Sequence, residues 1–63
     1  MNKDEFCKMY HHYKTPDRSK AEERCKKVNA VAEGFKCVVI ELPEGFCLMT
    51  EEAAMYLKSV GAI

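Results

Sequence analysis

The sequence predicts a small α+β domain with the element order α-α-β-β-α over residues 1–63, and three observations support this prediction. Residues 38–49 hold a β-branched run, a Pro-Glu-Gly turn and a second apolar run, a pattern typical of a β-hairpin. Two capped amphipathic segments precede the hairpin, and a third follows it. A chain of 63 residues has room for one hydrophobic core and no second domain.

The first predicted helix covers residues 3–13. Asn2 caps it, and Glu5 follows three residues later as in a capping box. Its apolar side chains recur with helical spacing at Phe6, Met9, Tyr10 and Tyr13. This stripe predicts a face that packs on the core, and its tyrosines and methionine also suit a protein interface.

The second predicted helix covers residues 16–33. Thr15 is the expected cap, Pro16 takes the first helical position, and Gly34 ends the helix in the left-handed conformation. Its apolar stripe consists of the small residues Ala21, Cys25, Val28 and Ala32. Small side chains predict a helix that approaches the hairpin closely.

The predicted hairpin has strands at 35–42 and 46–49. Pro43 suits the second position of a type I turn and Gly45 the left-handed position after it, which predicts a three-residue loop with a bulge. In that register the cross-strand pairs are Leu42–Phe46, Ile40–Leu48 and Val38–Thr50.

Both faces of this hairpin are apolar. In the predicted register Val38, Ile40, Leu42, Phe46, Leu48 and Thr50 share one face, and Phe35, Cys37, Val39, Cys47 and Met49 share the other. A two-stranded ribbon with two apolar faces needs cover on both. The three helices can supply it, and a second copy or a partner protein is the alternative.

The third predicted helix covers residues 51–60. Thr50 caps it, Glu51 and Glu52 place negative charge in its first turn, and Gly61 ends it. Its predicted buried face consists of Ala53, Ala54, Leu57 and Val60.

Residues 48–57, LMTEEAAMYL, resemble the opening helix of excisionase-type and MerR-type helix-turn-helix domains, where a Thr-capped helix with Glu-Ala-Ala precedes the turn. No recognition helix follows the segment in this sequence, so the resemblance implies no DNA-binding site.

Ten basic and ten acidic residues cancel, which argues against non-specific attachment to nucleic acid or membranes. Residues 1–27 nevertheless carry a net charge of +3 and residues 28–63 a net charge of −3. No apolar run approaches the length of a membrane span, and residues 1–30 contain no signal-peptide core. We therefore expect a cytoplasmic protein with reduced thiols.

A zinc site is the sharpest alternative for the cysteines. Cys7 and His11 lie one helical turn apart, and Cys25, Cys37 and Cys47 could complete a tetrahedral set. The spacings of known zinc motifs are missing, so no metal or other cofactor is predicted. Cys7 and His11 are also the one local nucleophile–base pair, and no orienting group accompanies them. We expect no enzymatic activity.

The second helix presents a basic stripe of Lys20, Arg24 and Lys27. Glu23 can neutralise Lys27, which leaves Lys20 and Arg24 as the least compensated charges. An ordinary solvated helix face is one interpretation of this stripe. A contact surface for phosphates or for an acidic protein is the other.

These observations predict a non-enzymatic regulator or inhibitor that binds a larger protein partner. The expected partner-binding residues are Lys20, Arg24, Lys27, Tyr10 and Tyr13, and a homodimer remains open. In size and style the chain is similar to small phage or prophage early proteins that modulate host machinery. The alternative is a small nucleic-acid-associated transcriptional regulator that uses the basic stripe.

Overall fold

A computed structural model describes residues 1–63 and has three helices and one two-stranded antiparallel sheet. The elements are α1 Lys3–Tyr10, α2 Arg18–Val31, β1 Cys37–Leu42, β2 Gly45–Thr50 and α3 Glu51–Ser59. Their order and class confirm the α+β prediction. None of the helices has the length and apolar character needed to cross a membrane.

Helix α1 begins as predicted, with a capping box. Asn2 Oδ1 accepts a hydrogen bond from the Glu5 amide at 2.9 Å, and the Glu5 carboxylate accepts one from the Asn2 amide. Phe6 is buried against the hairpin. The prediction that Met9 faces the core is wrong, because this two-turn helix buries only Phe6 and leaves Met9 61% exposed.

The connection from α1 to α2 contains a strand-like pairing that the sequence does not reveal. The Thr15 amide donates to the Phe46 carbonyl at 2.9 Å, and the Phe46 amide donates to the Thr15 carbonyl at 2.7 Å. This bridge needs an extended backbone at Thr15. Helix α1 therefore ends at Tyr10, and the predicted end at Tyr13 is wrong.

For the same reason the predicted start of α2 is wrong. Asp17 is the cap, and its carboxylate accepts from the amides of Ser19 and Lys20. The helix ends at Val31 because Ala32 is already extended, two residues before the predicted end. The predicted small-residue stripe is confirmed: Ala21 and Val28 are buried, and Cys25 and Ala32 are half-buried.

The predicted hairpin register is wrong by one residue. The observed pairs are Leu42–Gly45, Glu41–Phe46, Ile40–Cys47, Val39–Leu48, Val38–Met49 and Cys37–Thr50. The loop is therefore only Pro43-Glu44, since Gly45 belongs to β2 and pairs with Leu42. A one-residue shift in register places every side chain of one strand on the opposite face of the sheet relative to the side chains of the other strand.

The shift changes which side chains of the two strands lie together. The α2 face of the hairpin carries Cys37, Val39, Glu41, Phe46, Leu48 and Thr50, and the α3 face carries Val38, Ile40, Leu42, Cys47 and Met49. Cys37 and Cys47 thus lie on opposite faces, and their predicted common face is wrong.

Each face packs against helices of the same chain. On the α2 face, Phe6, Ala21 and Val28 form a buried cluster with Cys37 and Leu48. On the α3 face a smaller cluster contains Ile40, Cys47 and Ala54, and the flanking residues Val38, Leu42 and Met49 are only half-buried. The α3 face is therefore the less completely covered of the two.

Helix α3 has the predicted cap, because Thr50 Oγ1 accepts from the Ala53 amide at 3.1 Å. Ala54 is buried, and Ala53 and Leu57 are half-buried. The prediction that Val60 is buried is wrong: the helix ends at Ser59, and the Val60 side chain is 58% exposed.

The outer edge of β1 is closed at its start by a side chain. Asn29 Oδ1 accepts from the Cys37 amide at 2.7 Å, and Asn29 Nδ2 donates to the Cys37 carbonyl at 3.0 Å. Cys25 Sγ donates to the same carbonyl at 3.1 Å. The Asn29 amide therefore pairs with β1 as a neighbouring strand would.

Replacing Asn29 with alanine should lower the free energy of unfolding by about 1–3 kcal/mol, because it leaves the Cys37 amide without a protein partner and leaves the Cys37 carbonyl only the Cys25 thiol. Urea unfolding followed by circular dichroism measures the loss. Lys26→Ala is the matched control, since Lys26 is exposed on the same helix and makes no ion pair. Equal effects of the two substitutions would contradict this role for Asn29.

Candidate functional site

A groove of about 340 Å³ lies between α1 and β2. Nine of its 12 lining residues are hydrophobic. The lining residues are Phe6, Cys7, Tyr10, His11, Tyr13, Lys14, Leu42, Cys47, Leu48, Met49, Thr50 and Ala53. They belong to α1, to the segment that follows it, to both strands and to α3.

One wall of the groove is a row of aromatic rings. The ring centroids of Phe6 and Tyr10 lie 5.3 Å apart, and those of Tyr10 and Tyr13 lie 5.4 Å apart with an edge-to-face arrangement. Both distances are within the favourable range for aromatic pairs. Tyr10 and Tyr13, which were predicted to bind a partner, are half-buried and line this wall.

The opposite wall is formed by consecutive residues of β2. Cys47 and Leu48 are buried there, and Met49 is half-buried. The sequence marks these residues as apolar hairpin positions, but their meeting with α1 depends on long-range packing. No local pattern could have identified the groove.

The groove is lined by basic side chains and by no acidic ones. His11 and Lys14 line it, and no aspartate or glutamate does. Lys14 Nζ lies 3.9 Å from the Glu44 carboxylate, and both side chains are more than half exposed. Exposed pairs of this kind contribute about 0–1 kcal/mol, so Lys14 remains able to bind another carboxylate.

The thiols that line the groove differ in exposure. Cys7 is exposed and Cys47 is buried. Burial raises the pKa of the Cys47 thiol, the Lys14 ammonium opposes that rise, and the Glu44 carboxylate adds to it. Cys47 is therefore held in the protonated form, which is the less nucleophilic one.

The five residues of the zinc alternative are not brought together. Cys7, His11 and Cys47 line the groove, whereas Cys25 lies on α2 and Cys37 on the α2 face of the hairpin. No group of three or more histidine, cysteine, aspartate or glutamate side chains is placed to hold a metal ion.

Titration of the Cys37 thiol should lower the free energy of unfolding in alkaline solution. Burial, with the neighbouring Cys25 thiol adding to it, raises the Cys37 pKa from 9.0 to about 12. Between these values the unfolded chain loses the thiol proton and the folded chain keeps it, so the free energy of unfolding falls as pH rises from 9 to 12. Below pH 9 the thiol is protonated in both states, and the full contribution of Cys37 to the free energy of unfolding is present.

The measurement is urea unfolding at several pH values for the wild type and Cys37→Ala. We expect the slope of stability against pH above pH 9 to be shallower in the variant. Comparing slopes removes the constant cost of truncating a core residue and the titration of other groups. Parallel slopes would contradict the assignment.

The predicted basic stripe lies away from the groove. Lys20, Arg24 and Lys27 are exposed on α2, and none of them lines the groove. Lys27 Nζ lies 3.5 Å from the Glu23 carboxylate, so the predicted pairing is confirmed. Lys20 and Arg24 make no ion pair. The structure thus divides the five predicted partner-binding residues between two surfaces.

No family model, curated protein or solved structure matches this chain.

Proposed function

We propose that this chain is a non-enzymatic interaction protein, a small regulator or inhibitor that binds a larger protein through the groove between α1 and β2. The observation that carries the proposal is the combination of an apolar lining with basic side chains and no acidic ones. The complementary ligand is an apolar side chain of the partner with a carboxylate close to it. The apolar group enters the groove, and the carboxylate pairs with Lys14.

The volume of the groove suits an anchor of this kind. Small-molecule pockets span roughly 300–1,000 Å³, and this groove lies at the lower end of that range. Tyr10 and Tyr13 supply large contact surfaces with polar hydroxyl ends, a combination common at protein interfaces. One or two anchoring side chains of a partner would fill the available space.

Two further features support a binding role over a catalytic one. His11 Nδ1 lies 3.0 Å from the Lys8 carbonyl oxygen, so a hydrogen bond to the last turn of α1 engages this ring nitrogen. Burial keeps Cys47 protonated.

The four free thiols favour a reducing, cytoplasmic location. The similarity in format to phage or prophage early proteins extends the proposal to a modulator of host machinery.

Site-specific photo-crosslinking followed by binding measurements tests the proposal. A photoreactive amino acid at His11, beside the groove, should trap the partner in cells, and the same amino acid at Lys26 on α2 should not. The purified partner should then bind the wild type one to one. Lys14→Glu should bind about tenfold or more weakly, since the substitution reverses the charge that faces the carboxylate.

Lys8→Glu is the matched control for that measurement. Lys8 lies on α1 and is exposed, but it does not line the groove. A groove site requires the Lys14 substitution to weaken binding much more than the Lys8 substitution. Equal effects would indicate only long-range attraction, and a partner trapped equally from Lys26 would place the interface elsewhere.

One observation favours a second candidate function, nucleic-acid binding by α2. Lys20 and Arg24 are exposed without ion-pair partners on one side of that helix. Fluorescence anisotropy with labelled single-stranded and duplex DNA should then show affinity that falls steeply with ionic strength. The double variant Lys20→Glu/Arg24→Glu should abolish binding, and unchanged binding would reject this function.

A further inference from the structure

The outer edge of β1 contains two residues whose main-chain groups have no partner within the chain. In an antiparallel pair, alternate residues direct their N–H and C=O groups towards the partner strand and away from it. Lys36 points inward, because its carbonyl accepts from the Glu51 amide at 2.8 Å. By alternation Cys37, Val39 and Glu41 point outward.

The chain itself closes both ends of this edge. The Asn29 side chain occupies the outward groups of Cys37. At the other end, Pro43 begins the loop and has no N–H to offer. On the opposite edge of the hairpin, Thr15 pairs with the outward groups of Phe46. Val39 and Glu41 are therefore the two residues of this edge whose main-chain N–H and C=O groups remain free, and we call this pair of residues the open window.

We propose that two copies of the chain pair antiparallel through this window, which gives a four-stranded sheet in the order β2-β1-β1-β2 about a two-fold axis. Val39 of each copy then exchanges two hydrogen bonds with Glu41 of the other. Ile40 lies on the two-fold axis, opposite Ile40 of the other copy. The partner surface is thus this same edge, used twice, as a two-fold dimer requires.

Neighbouring symmetric registers are blocked by observed features. A register centred on Val39 places Glu41 opposite Cys37, whose main chain is already bonded to Asn29. A register centred on Glu41 places the two Glu41 carboxylates opposite each other and Val39 opposite Pro43, which has no N–H. Only the register centred on Ile40 uses the whole window.

Burial favours the same register. On the α3 face, Val38 and Leu42 flank Ile40 and are only half-buried in the single chain. Pairing continues this apolar row across the axis. Only nine of 63 residues are buried, and small folds with such limited cores often oligomerise.

The main-chain pairing uses the β1 edge, whereas the groove lies between α1 and β2 at the opposite edge of the hairpin, and Leu42 is the one groove-lining residue that also belongs to the apolar row of the dimer. The dimer and the proposed function can therefore be tested separately. Either could fail without the other, since the groove experiment measures a different protein and uses Lys14.

Sedimentation equilibrium from micromolar to millimolar protein tests the dimer. The wild type should show a monomer–dimer equilibrium in this range. Glu41→Pro removes one outward N–H at an edge position where proline is tolerated, and it should weaken dimerisation by about tenfold or more. Glu41→Gln keeps that N–H and should dimerise at least as well as the wild type.

Hydrogen exchange keeps the test decisive even if the proline variant fails to fold. The amides of Val39 and Glu41 should exchange quickly in dilute wild-type protein and become protected as its concentration rises. The Ile40 amide pairs within the hairpin and should be protected throughout, which provides an internal reference. A monomer at millimolar concentration, or a dimer that leaves the Val39 and Glu41 amides unprotected, would overturn the proposal.

Discussion

Replacing Phe6 with alanine is expected to leave the protein largely unfolded at room temperature. Phe6 is only 2% exposed, and its ring centroid lies 5.1 Å from that of Phe35 and 5.3 Å from that of Tyr10. Truncating a buried phenylalanine costs about 3–5 kcal/mol. The core of a chain this small supplies roughly 3–5 kcal/mol in total. Urea unfolding and far-ultraviolet circular dichroism of the variant measure the loss.

Met9→Ala is the matched control for this substitution. Met9 lies three residues further along the same helix, but it is 61% exposed and lies outside both buried clusters. Its truncation should change stability by less than about 0.5 kcal/mol. Comparable losses for the two variants would contradict the role of burial against the hairpin, because both substitutions introduce alanine, the residue with the highest helix propensity.

The features of this fold that the sequence predicts correctly are the local ones. The capping box of α1 joins Asn2 and Glu5, and the cap of α3 joins Thr50 and Ala53, so each spans only three residues. The small-residue stripe of α2 also repeats within one helix. Such patterns are visible in a short window because both partners lie inside it.

The errors in the end of α1, the start of α2 and the hairpin register share one long-range cause. Thr15-Pro16-Asp17 has the residue types of a helix start, yet Thr15 pairs with Phe46, 31 positions away in the sequence. That pairing ends α1 early and moves the start of α2 to Arg18. It also holds Phe46 beside Thr15, and Gly45 then takes the position opposite Leu42. Tertiary hydrogen bonds here override a local turn and capping preference.

The candidate site likewise combines residues that the sequence identifies with a residue that only tertiary packing brings into place. Tyr10 and Tyr13 stand out in the sequence as aromatic residues on a terminal helix, and they line the groove. Lys14 does not stand out there. It acquires its position only because α1 packs beside β2 and brings it near Glu44 and Cys47. A single sequence contains no local signal for that arrangement.

Replacing Gly45 with valine is expected to lower the free energy of unfolding by about 3 kcal/mol or more. Gly45 has φ = +138°, a conformation that side chains with a Cβ rarely adopt, and such strain costs about 1–3 kcal/mol. A Cβ at this position would also lie 2.9 Å from the Thr15 carbonyl oxygen. Thr15 must then move away from Phe46, at a further cost of about 0.5–1.5 kcal/mol for each hydrogen bond lost.

Gly34→Val separates the backbone strain from the clash. Gly34 has φ = +78°, but no atom lies within 4 Å of a Cβ built there, so only the conformational cost of about 1–2 kcal/mol applies. The Gly45 variant should therefore be clearly less stable in urea than the Gly34 variant, and it alone should lose hydrogen-exchange protection at the Thr15 and Phe46 amides. Equal losses of stability with both amides still protected would show that Thr15 can retreat without breaking its pairing, and the bridge would no longer explain where α1 ends and how the hairpin is registered.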